Sequence, residues 1–395
     1  MKPLSNWIRV LVSAVLTVTV AASCTWPWQT TPKPSSPPPT ARPTPFPSGV
    51  TVTRVPALTP KVSASPRLTF IAMKSETDGW GLSESSILRT TDGGNQWFDV
   101  TPQGFAGGET TRGYYLDANT AWELTLDPQD FSLGILFRTN DGGQSWQSAS
   151  VPFPGGVLQF TNPQTGWALY VPSAAAGSAE AEIYQTTDGG GTWNQVYKID
   201  PSTPEPSGGL PFAGMKNGLT FLDERHGWVT GTEPKDGYAW LFATQDGTRT
   251  WQHQDLKLPS GFITSTLSID PPHFSSAYHG ILPVVFYRGK PYKDFYATYD
   301  GGASWNSTMP VQNSGIYDMI PMRDIWVWDG TTLDVSHDGG QTWTRITPNV
   351  NLGEAIRQLD FVTPTNGFVL TMDENGHSQL LKTTDGGSNW VTVIP

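Results

Sequence analysis

Short apolar stretches separated by polar turns recur along most of this chain. Residues 68–72 are apolar, a polar turn follows, and residues 79–82 form a second apolar stretch that contains a Gly-Trp pair. Short runs of this kind, with alternating apolar positions and β-branched residues, are typical of β-strands. We therefore predict an all-β domain over residues 66–395.

A six-residue phrase that begins Asp-Gly and ends in Trp marks the repeat. Its seven copies begin at Asp92, Asp141, Asp188, Asp246, Asp300, Asp338 and Asp385, and end at Trp97, Trp146, Trp193, Trp251, Trp305, Trp343 and Trp390. Successive copies lie 38 to 58 residues apart. Repeats of this length with strand-like flanks predict a β-propeller with one blade per copy. We expect seven blades of four antiparallel strands, A to D, with the phrase at each C–D turn.

The chemistry of the phrase is structural. An Asp carboxylate accepts hydrogen bonds from amides one to three residues ahead, and Gly adopts positive φ without a Cβ penalty. The Trp residues then bury large apolar faces between blades. Twelve of the seventeen Trp residues occupy either this position or the Gly-Trp position upstream.

These phrases resemble the Asp-box, or BNR, repeat. With the additional Gly-Trp strand, as at Gly79-Trp80 and Gly166-Trp167, the chain is most similar to the photosystem II stability and assembly factor group of seven-bladed propellers. That resemblance implies a scaffold that binds a membrane protein or an assembly intermediate. Asp-boxes also occur in sialidases and xyloglucan hydrolases, so the repeat alone does not define an activity.

The N-terminal 65 residues have the composition of an export leader followed by a linker. Residues 1–23 combine Lys2 and Arg9 with an apolar run, as in a signal peptide, and Cys24 follows in a sequence that resembles a bacterial lipobox. Residues 24–65 are rich in Pro, Ser and Thr, which is typical of a disordered tether. We expect an exported protein, lipid-anchored through Cys24 on the outer side of a bacterial membrane. Residues 50–55 suit either an additional strand or linker.

The net charge of −11 and the scattered His residues exclude several kinds of site. An acidic domain without a basic stripe does not favour nucleic-acid binding. The single Cys, the seven separated Asp residues and the six His residues give no metal-ligand spacing. We expect no metal, no cofactor and a monomer.

Unequal loop lengths indicate where a partner binds. The A–B turns are short, whereas the B–C and D–A connections are sometimes long, as in residues 199–217 and 287–293. B–C and D–A connections share one face of a propeller, and insertions gathered on one face often mark the binding side. The candidate contact residues on that long-loop face are Phe131, Lys235, Tyr238, Trp240, Arg288, Lys290 and Tyr292.

Two functions are considered at this level, and we expect the first. The first is a non-catalytic module, not an enzyme, that binds a protein or glycan through the long-loop face. The alternative is a glycoside hydrolase of the sialidase or xyloglucanase kind. Three clustered Arg side chains, or two neighbouring carboxylates in the central funnel, would favour the hydrolase.

Overall fold

The computed structural model describes residues 53–56, 61–63, 66–108, 111–202, 207–313 and 315–394. Nearly all regular structure in these ranges is β-strand, and the only helix there is the 3-10 turn Gly353–Ala355. Over the same ranges no helix has the length and apolar character needed to cross a lipid bilayer.

The strands follow one another in groups of four, which we call units 1 to 7. Two strands precede unit 1: β1 (Thr53–Pro56) and β2 (Lys61–Ser63). Units 1 and 2 contain β3 (Phe70–Met73), β4 (Gly79–Leu82), β5 (Ile87–Thr90), β6 (Trp97–Asp99), and β7 (Arg112–Tyr115), β8 (Ala121–Leu126), β9 (Gly134–Thr139), β10 (Ser145–Val151). Unit 3 contains β11 (Val157–Phe160), β12 (Gly166–Tyr170), β15 (Glu182–Thr186), β16 (Asn194–Lys198), with the small hairpin β13 (Ala174–Ala175) and β14 (Ser178–Ala179) in its B–C loop.

The remaining four units continue the series. Units 4 and 5 contain β17 (Met215–Phe221), β18 (Gly227–Glu233), β19 (Leu241–Thr244), β20 (Gln252–His253), and β21 (Thr266–Ile269), β22 (His273–Phe274), β23 (Gly280–Arg288), β24 (Lys290–Thr298). Units 6 and 7 contain β25 (Ile316–Ile320), β26 (Asp324–Trp328), β27 (Leu333–Ser336), β28 (Thr344–Ile346), and β29 (Ile356–Phe361), β30 (Gly367–Met372), β31 (Ser378–Thr383), β32 (Trp390–Ile394).

Strand pairing confirms the predicted all-β propeller of antiparallel sheets. In units 1, 2, 3, 6 and 7 the four strands pair in the order A-B-C-D. In unit 5, β21 and β22 together form the first strand, and β21 pairs with both β18 and β23, so that units 4 and 5 share one eight-stranded sheet. The number of seven separate blades therefore stays a prediction.

Two short strands differ from the tether predicted for residues 24–65. β1 pairs with the outer strand β10 of unit 2, and β2 pairs with the outer strand β6 of unit 1. Of the two alternatives for residues 50–55, the strand is the one observed from Thr53 onward, although it adds to unit 2 and not to the last blade. The predicted signal peptide, Cys24 and most of the tether lie outside the described residues and stay predictions.

Each Asp-Gly phrase forms the same hydrogen-bonded turn. The carboxylate accepts a hydrogen bond of 2.8–2.9 Å from the amide four residues ahead, as in Thr250 to Asp246. A Thr or Ser two residues before the Asp accepts from the amide two residues after it, at 2.8–3.1 Å. The amide and hydroxyl of Thr250 hold the pKa of Asp246 below its usual range. The hydrogen-bonding capacity of the carboxylate is therefore satisfied within its own turn.

A second repeated contact fixes the two faces of the ring. In every unit the first Gly of the phrase donates its amide hydrogen to a carbonyl of the A–B turn of that unit, at 2.7–3.0 Å; examples are Gly93 to Thr77 and Gly386 to Thr365. The C–D and A–B turns thus lie together on one face. The B–C and D–A connections lie at the opposite ends of the same strands, which is the long-loop face.

Aromatic stacking joins neighbouring units. In three units the Trp of the second strand lies flat on a Phe of the next unit's first strand, as in Trp122 on Phe160 with ring centroids 3.7 Å apart and Trp326 on Phe361 at 3.8 Å. Phrase Trp residues, such as Trp390 against Phe361, contact the same Phe edge-on. Pairs of this kind contribute about 0.5–1.5 kcal/mol each beyond their buried area. The Trp residues therefore pack between units.

A buried ammonium group fixes the connection that leads into unit 4. Lys216 is buried in β17, with its Nζ 5.0 Å from the Trp240 ring centroid. Within 2.9 Å the same Nζ donates to the backbone carbonyls of Ala179, Pro211, Phe212 and Gly214. Peptide oxygens thus take the place of water around this charge.

Lys216→Met is expected to lower the free energy of unfolding by about 2–3 kcal/mol, because several buried carbonyls lose their donor. Urea denaturation measures this change. Lys235→Met, which alters an exposed lysine of the same unit, is the matched control and should leave the midpoint unchanged. Equal midpoints for both variants would contradict the role given to Lys216.

Candidate active site in the central channel

The first strands of the units surround the centre of the ring, and polar side chains join them there. Gln358 exchanges two hydrogen bonds with the backbone of Ile71, 3.0 and 2.6 Å long, and thereby links units 7 and 1. Gln159 makes the same pair of bonds with Phe221 between units 3 and 4. The first strand is the inner edge of each sheet, and an edge strand exposes unpaired backbone groups. Each of these two Gln side chains pairs one backbone N–H and one backbone carbonyl of such a strand.

Four of the first-strand side chains that bond to the backbone of the next unit form what we call the belt: Gln159, Asp318, Gln358 and Asp360. Two of them, Asp318 and Asp360, carry carboxyl groups in place of amides. Asp318 of β25 accepts a hydrogen bond from the amide of Phe361, and Asp360 of β29 accepts one of 2.6 Å from the amide of Met73. Because Phe361 directly follows Asp360, the two carboxyl groups lie close together across the interface of units 6 and 7. Both side chains are only half-buried.

The surroundings raise the pKa of both groups. Burial, and then the neighbouring charge of Asp360, raises the pKa of Asp318 to about 7. Burial raises the pKa of Asp360 to about 6, while the Met73 amide and Lys74 oppose this rise. Between pH 6 and pH 7 the pair therefore holds about one proton, mostly on Asp318. A pair with one protonated and one ionised member can supply a general acid and a base or nucleophile.

Two further titratable groups lie beside the pair. Tyr317 directly precedes Asp318, and its hydroxyl donates to Asp270 over 2.7 Å. Lys74 directly follows β3, its charge acts on Asp360, and desolvation lowers its pKa. Concentrated pKa shifts of this kind are typical of functional sites. Among the described residues, no group of three or more His, Cys, Asp or Glu side chains is arranged to hold a metal ion.

Asp318 is expected to destabilise the folded protein as the pH rises. Between the ordinary carboxyl value of 3.8 and about pH 7 the folded chain retains the proton and the unfolded chain does not, so raising the pH favours unfolding. Asp318→Asn keeps an oxygen acceptor for the Phe361 amide and removes this effect. The variant should be more stable than the parent by about 1–2 kcal/mol at pH 8, with channel water screening the full effect, and equally stable below pH 4.

Thermal melting at pH 4 and pH 8 measures this difference. The matched reverse change, Gln358→Glu, adds a carboxyl group to the same belt and should lower the melting temperature at pH 8 only. Identical melting of Asp318→Asn and the parent at pH 8 would show that burial does not raise the pKa of Asp318.

The seven candidate contact residues lie in three different units. Phe131 belongs to unit 2 and is 73% exposed. Lys235, Tyr238 and Trp240 belong to unit 4, and Arg288, Lys290 and Tyr292 to unit 5. Trp240 is fully buried and donates its Nε1–H to Ala213, so it serves the core and offers no surface to a partner. For the other six, binding of a partner stays a prediction.

Several of these loop side chains pack on their own unit. Lys235 Nζ lies 4.3 Å from the Tyr238 ring centroid, and Tyr238 stacks on His253 at 4.9 Å. Arg288 donates to the carbonyl of Gly261, and Tyr292 contacts Phe262 edge-on. These contacts order the long-loop face.

Sequence reasoning did not single out Asp318 or Asp360. The available signal was a carboxylate inside an otherwise apolar first strand, in Ile316-Tyr317-Asp318-Met319-Ile320 and in Leu359-Asp360-Phe361. Lone acidic residues are frequent in strands, and only the packing of unit 7 against unit 6 brings these two together. Two neighbouring carboxyl groups at the channel are the arrangement expected of the hydrolase alternative.

The chain is similar in sequence to a xyloglucanase and in fold to solved propeller structures. No protein-family model matches the chain. A xyloglucanase from Paenibacillus sp is 25% identical over 314 residues, which are 71% of this chain and 25% of that relative. The chain thus spans about a quarter of the length of this curated relative.

Two solved structures share the fold. The GH74 xyloglucanase from Xanthomonas campestris superimposes with a TM-score of 0.52 at 12% identity, over 85% of this chain and 56% of that chain. YCF48 bound to D1 peptide superimposes with a TM-score of 0.51 at 17% identity, over 84% of this chain and 99% of that chain. Both likenesses support the propeller.

The expectation that this chain is not an enzyme is wrong in the light of these relatives. Curated proteins that the sequence matches at 25% and 29% identity are xyloglucanases, which are glycoside hydrolases. The prediction failed because the Asp-Gly phrase indicates only the turns of the propeller, and hydrolases and binding modules share that fold.

Proposed function

We propose that this chain is a glycoside hydrolase domain that cleaves a polysaccharide of the xyloglucan type, with Asp318 and Asp360 as its carboxyl pair. The observation that carries the proposal is the pair itself: two half-buried carboxyl groups lie on the first strands of neighbouring units, with pKa values raised to about 7 and about 6. The sequence similarity to a xyloglucanase supplies the substrate class.

The roles follow from the two pKa values. Asp318, which holds its proton to the higher pH, donates it to the oxygen of the glycosidic bond as the bond to the anomeric carbon breaks. The ionised Asp360 attacks the anomeric carbon or removes a proton from the attacking water. The products are a reducing end and a free hydroxyl, and the water supplies the added hydrogen and oxygen atoms.

The fold supports this use of the pair. Amides bridge other first strands with two hydrogen bonds, whereas each of these carboxyl groups makes one, accepted from a backbone amide of the next unit. Two adjacent carboxyl groups also repel each other once both are ionised. Side chains that weaken the ring relative to Gln suggest a role other than holding it together.

The test is release of reducing ends from xyloglucan by the full chain, beside an unsubstituted glucan and an acidic polysaccharide. We expect release from xyloglucan that rises with time and with enzyme concentration. No release from any of the polysaccharides, over a range of pH from 5 to 8, would overturn the proposal. NMR of the first product formed gives its anomeric configuration and thereby the role of Asp360.

Export agrees with a polysaccharide substrate. The leader predicted in residues 1–23 and lipidation of Cys24 would place the propeller outside the cell on a tether, where such polymers occur. Incorporation of labelled fatty acid into the parent but not into Cys24→Ser tests this anchor.

A further inference from the structure

Two neighbouring cavities open at the long-loop ends of units 1 to 4. The first, of about 730 Å³, is lined by Phe70, Leu82, Glu84 and Arg112 among others. The second, of about 470 Å³, is lined by Arg112, Phe131, Val157 and Tyr170 among others. Arg112 lines both, so the cavities are adjacent, and we call them together the two-chamber groove.

The groove lies away from the carboxyl pair. Phe70, Arg112 and Val157 are the first residues of β3, β7 and β11, whereas Asp360 is the next-to-last residue of β29. First strands of a propeller run in parallel from the long-loop face toward the A–B turns. The groove is therefore at the entrance side of these strands, and the pair lies deeper along them.

Uncharged polar groups lie directly behind the first chamber. A Cβ atom on its wall residue Gly113 would lie 2.6 Å from the Tyr115 hydroxyl and 2.7 Å from Glu123 Oε1. Tyr115 donates to Glu123, and the second carboxyl oxygen of Glu123 has no hydrogen-bond partner among the described residues. Burial raises the pKa of Glu123 to about 8, so this carboxyl group is neutral near pH 7. Only a glycine separates this hydrogen-bonding pair from the chamber.

The second chamber offers an aromatic platform. Phe131 is 73% exposed, which is unusual for so large an apolar side chain on the described surface, and Tyr170 lines the same chamber. Lys216 also lines it, but its ammonium is bound to backbone carbonyls. Exposed rings beside hydroxyl and guanidinium groups suit a ligand with both apolar faces and many hydroxyl groups.

Charge selects among such ligands. The chain carries a net charge of −11, which repels polyanions such as acidic polysaccharides and nucleic acids. We propose that the two-chamber groove binds an extended, neutral polysaccharide chain, with a sugar ring on Phe131 and a neighbouring sugar in the chamber before Gly113. This inference rests on the proposed function for its substrate class, but it assigns a separate binding site.

Affinity electrophoresis in gels containing xyloglucan tests the groove with the parent, Phe131→Ala and Tyr278→Ala. Tyr278 is the matched control, because it is 67% exposed and lies in an A–B turn on the opposite face. We expect Phe131→Ala to bind at least tenfold more weakly at an unchanged melting temperature, and Tyr278→Ala to bind like the parent. An acidic polysaccharide in the gel should retard none of the three.

The outcomes separate this inference from the proposed hydrolysis. Retarded migration of the parent that depends on Phe131, without release of reducing ends, supports the groove and overturns the hydrolase. Hydrolysis by a parent whose migration is unaffected by xyloglucan, or equally affected in Phe131→Ala, overturns the groove alone.

Discussion

Replacing Asp318 or Asp360 with Asn is expected to reduce xyloglucan hydrolysis at least about a thousandfold, because each change removes one member of the acid–base pair. Both variants keep an oxygen acceptor for the neighbouring amide, so the ring should remain folded. The measurement is the initial rate of reducing-end release, compared at equal concentrations of folded protein.

The matched control for this prediction is Asp294→Asn. Burial also raises the pKa of Asp294, but its carboxylate binds Ser307 and Thr308 in unit 5, away from the channel pair. This variant should hydrolyse xyloglucan at the rate of the parent. Equal rates for Asp318→Asn and the parent would exclude Asp318 from the chemistry, even if the protein proves to be a hydrolase.

The pH dependence of the parent follows from the same pair. Rates should rise with pH as the group titrating near 6 loses its proton and fall as the group titrating near 7 loses the second. We therefore expect a narrow bell-shaped profile centred between pH 6 and 7.

The largest expected effect on stability comes from Trp146→Ala, at about 3–5 kcal/mol. Trp146 is fully buried, contacts Trp80 of unit 1 edge-on and donates its Nε1–H to Val100 over 2.7 Å. Its removal leaves a cavity between units 1 and 2 and an unpaired carbonyl. Chemical denaturation monitored by far-UV circular dichroism measures the loss.

Trp343→Ala is the comparison for Trp146→Ala. Trp343 ends the phrase of unit 6 but is only half-buried, and its Nε1–H donates to Met309. Its loss should cost less than half as much. Similar costs at the two positions would mean that burial between units does not determine the contribution of the phrase Trp.

Much of the fold was predictable because it depends on local chemistry. A carboxylate, a hydroxyl two residues before it and glycines of positive φ close each C–D turn within about six residues, so the turn can be recognised in the sequence. The Phe that receives each stacked Trp, such as Phe160 or Phe361, was not predicted, because it belongs to the following unit.

The candidate site was less predictable because it depends on the packing of neighbouring units against each other. Asp318 and Asp360 are 42 positions apart in the chain, and each taken alone is one acidic residue among 35. Trp240 was assigned to the surface from its place beside a long loop, whereas its ring is fully buried and donates to the Ala213 carbonyl of the connection that precedes unit 4. Burial and proximity of this kind are set by tertiary packing.

Units 7 and 1 meet without a strand in common: Gln358 and Asp360 hydrogen-bond to the backbone of β3, and apolar residues of both units fill one cluster. Units 7 and 1 are therefore held together by side-chain contacts alone, without a direct chain connection. The chain should therefore tolerate circular permutation, in which β32 is connected to β3 and the backbone is opened in a long-loop connection between two other units. In such a permutant units 7 and 1 would be joined covalently and the carboxyl pair would be retained. The units would be synthesised in a different order but would keep the same arrangement.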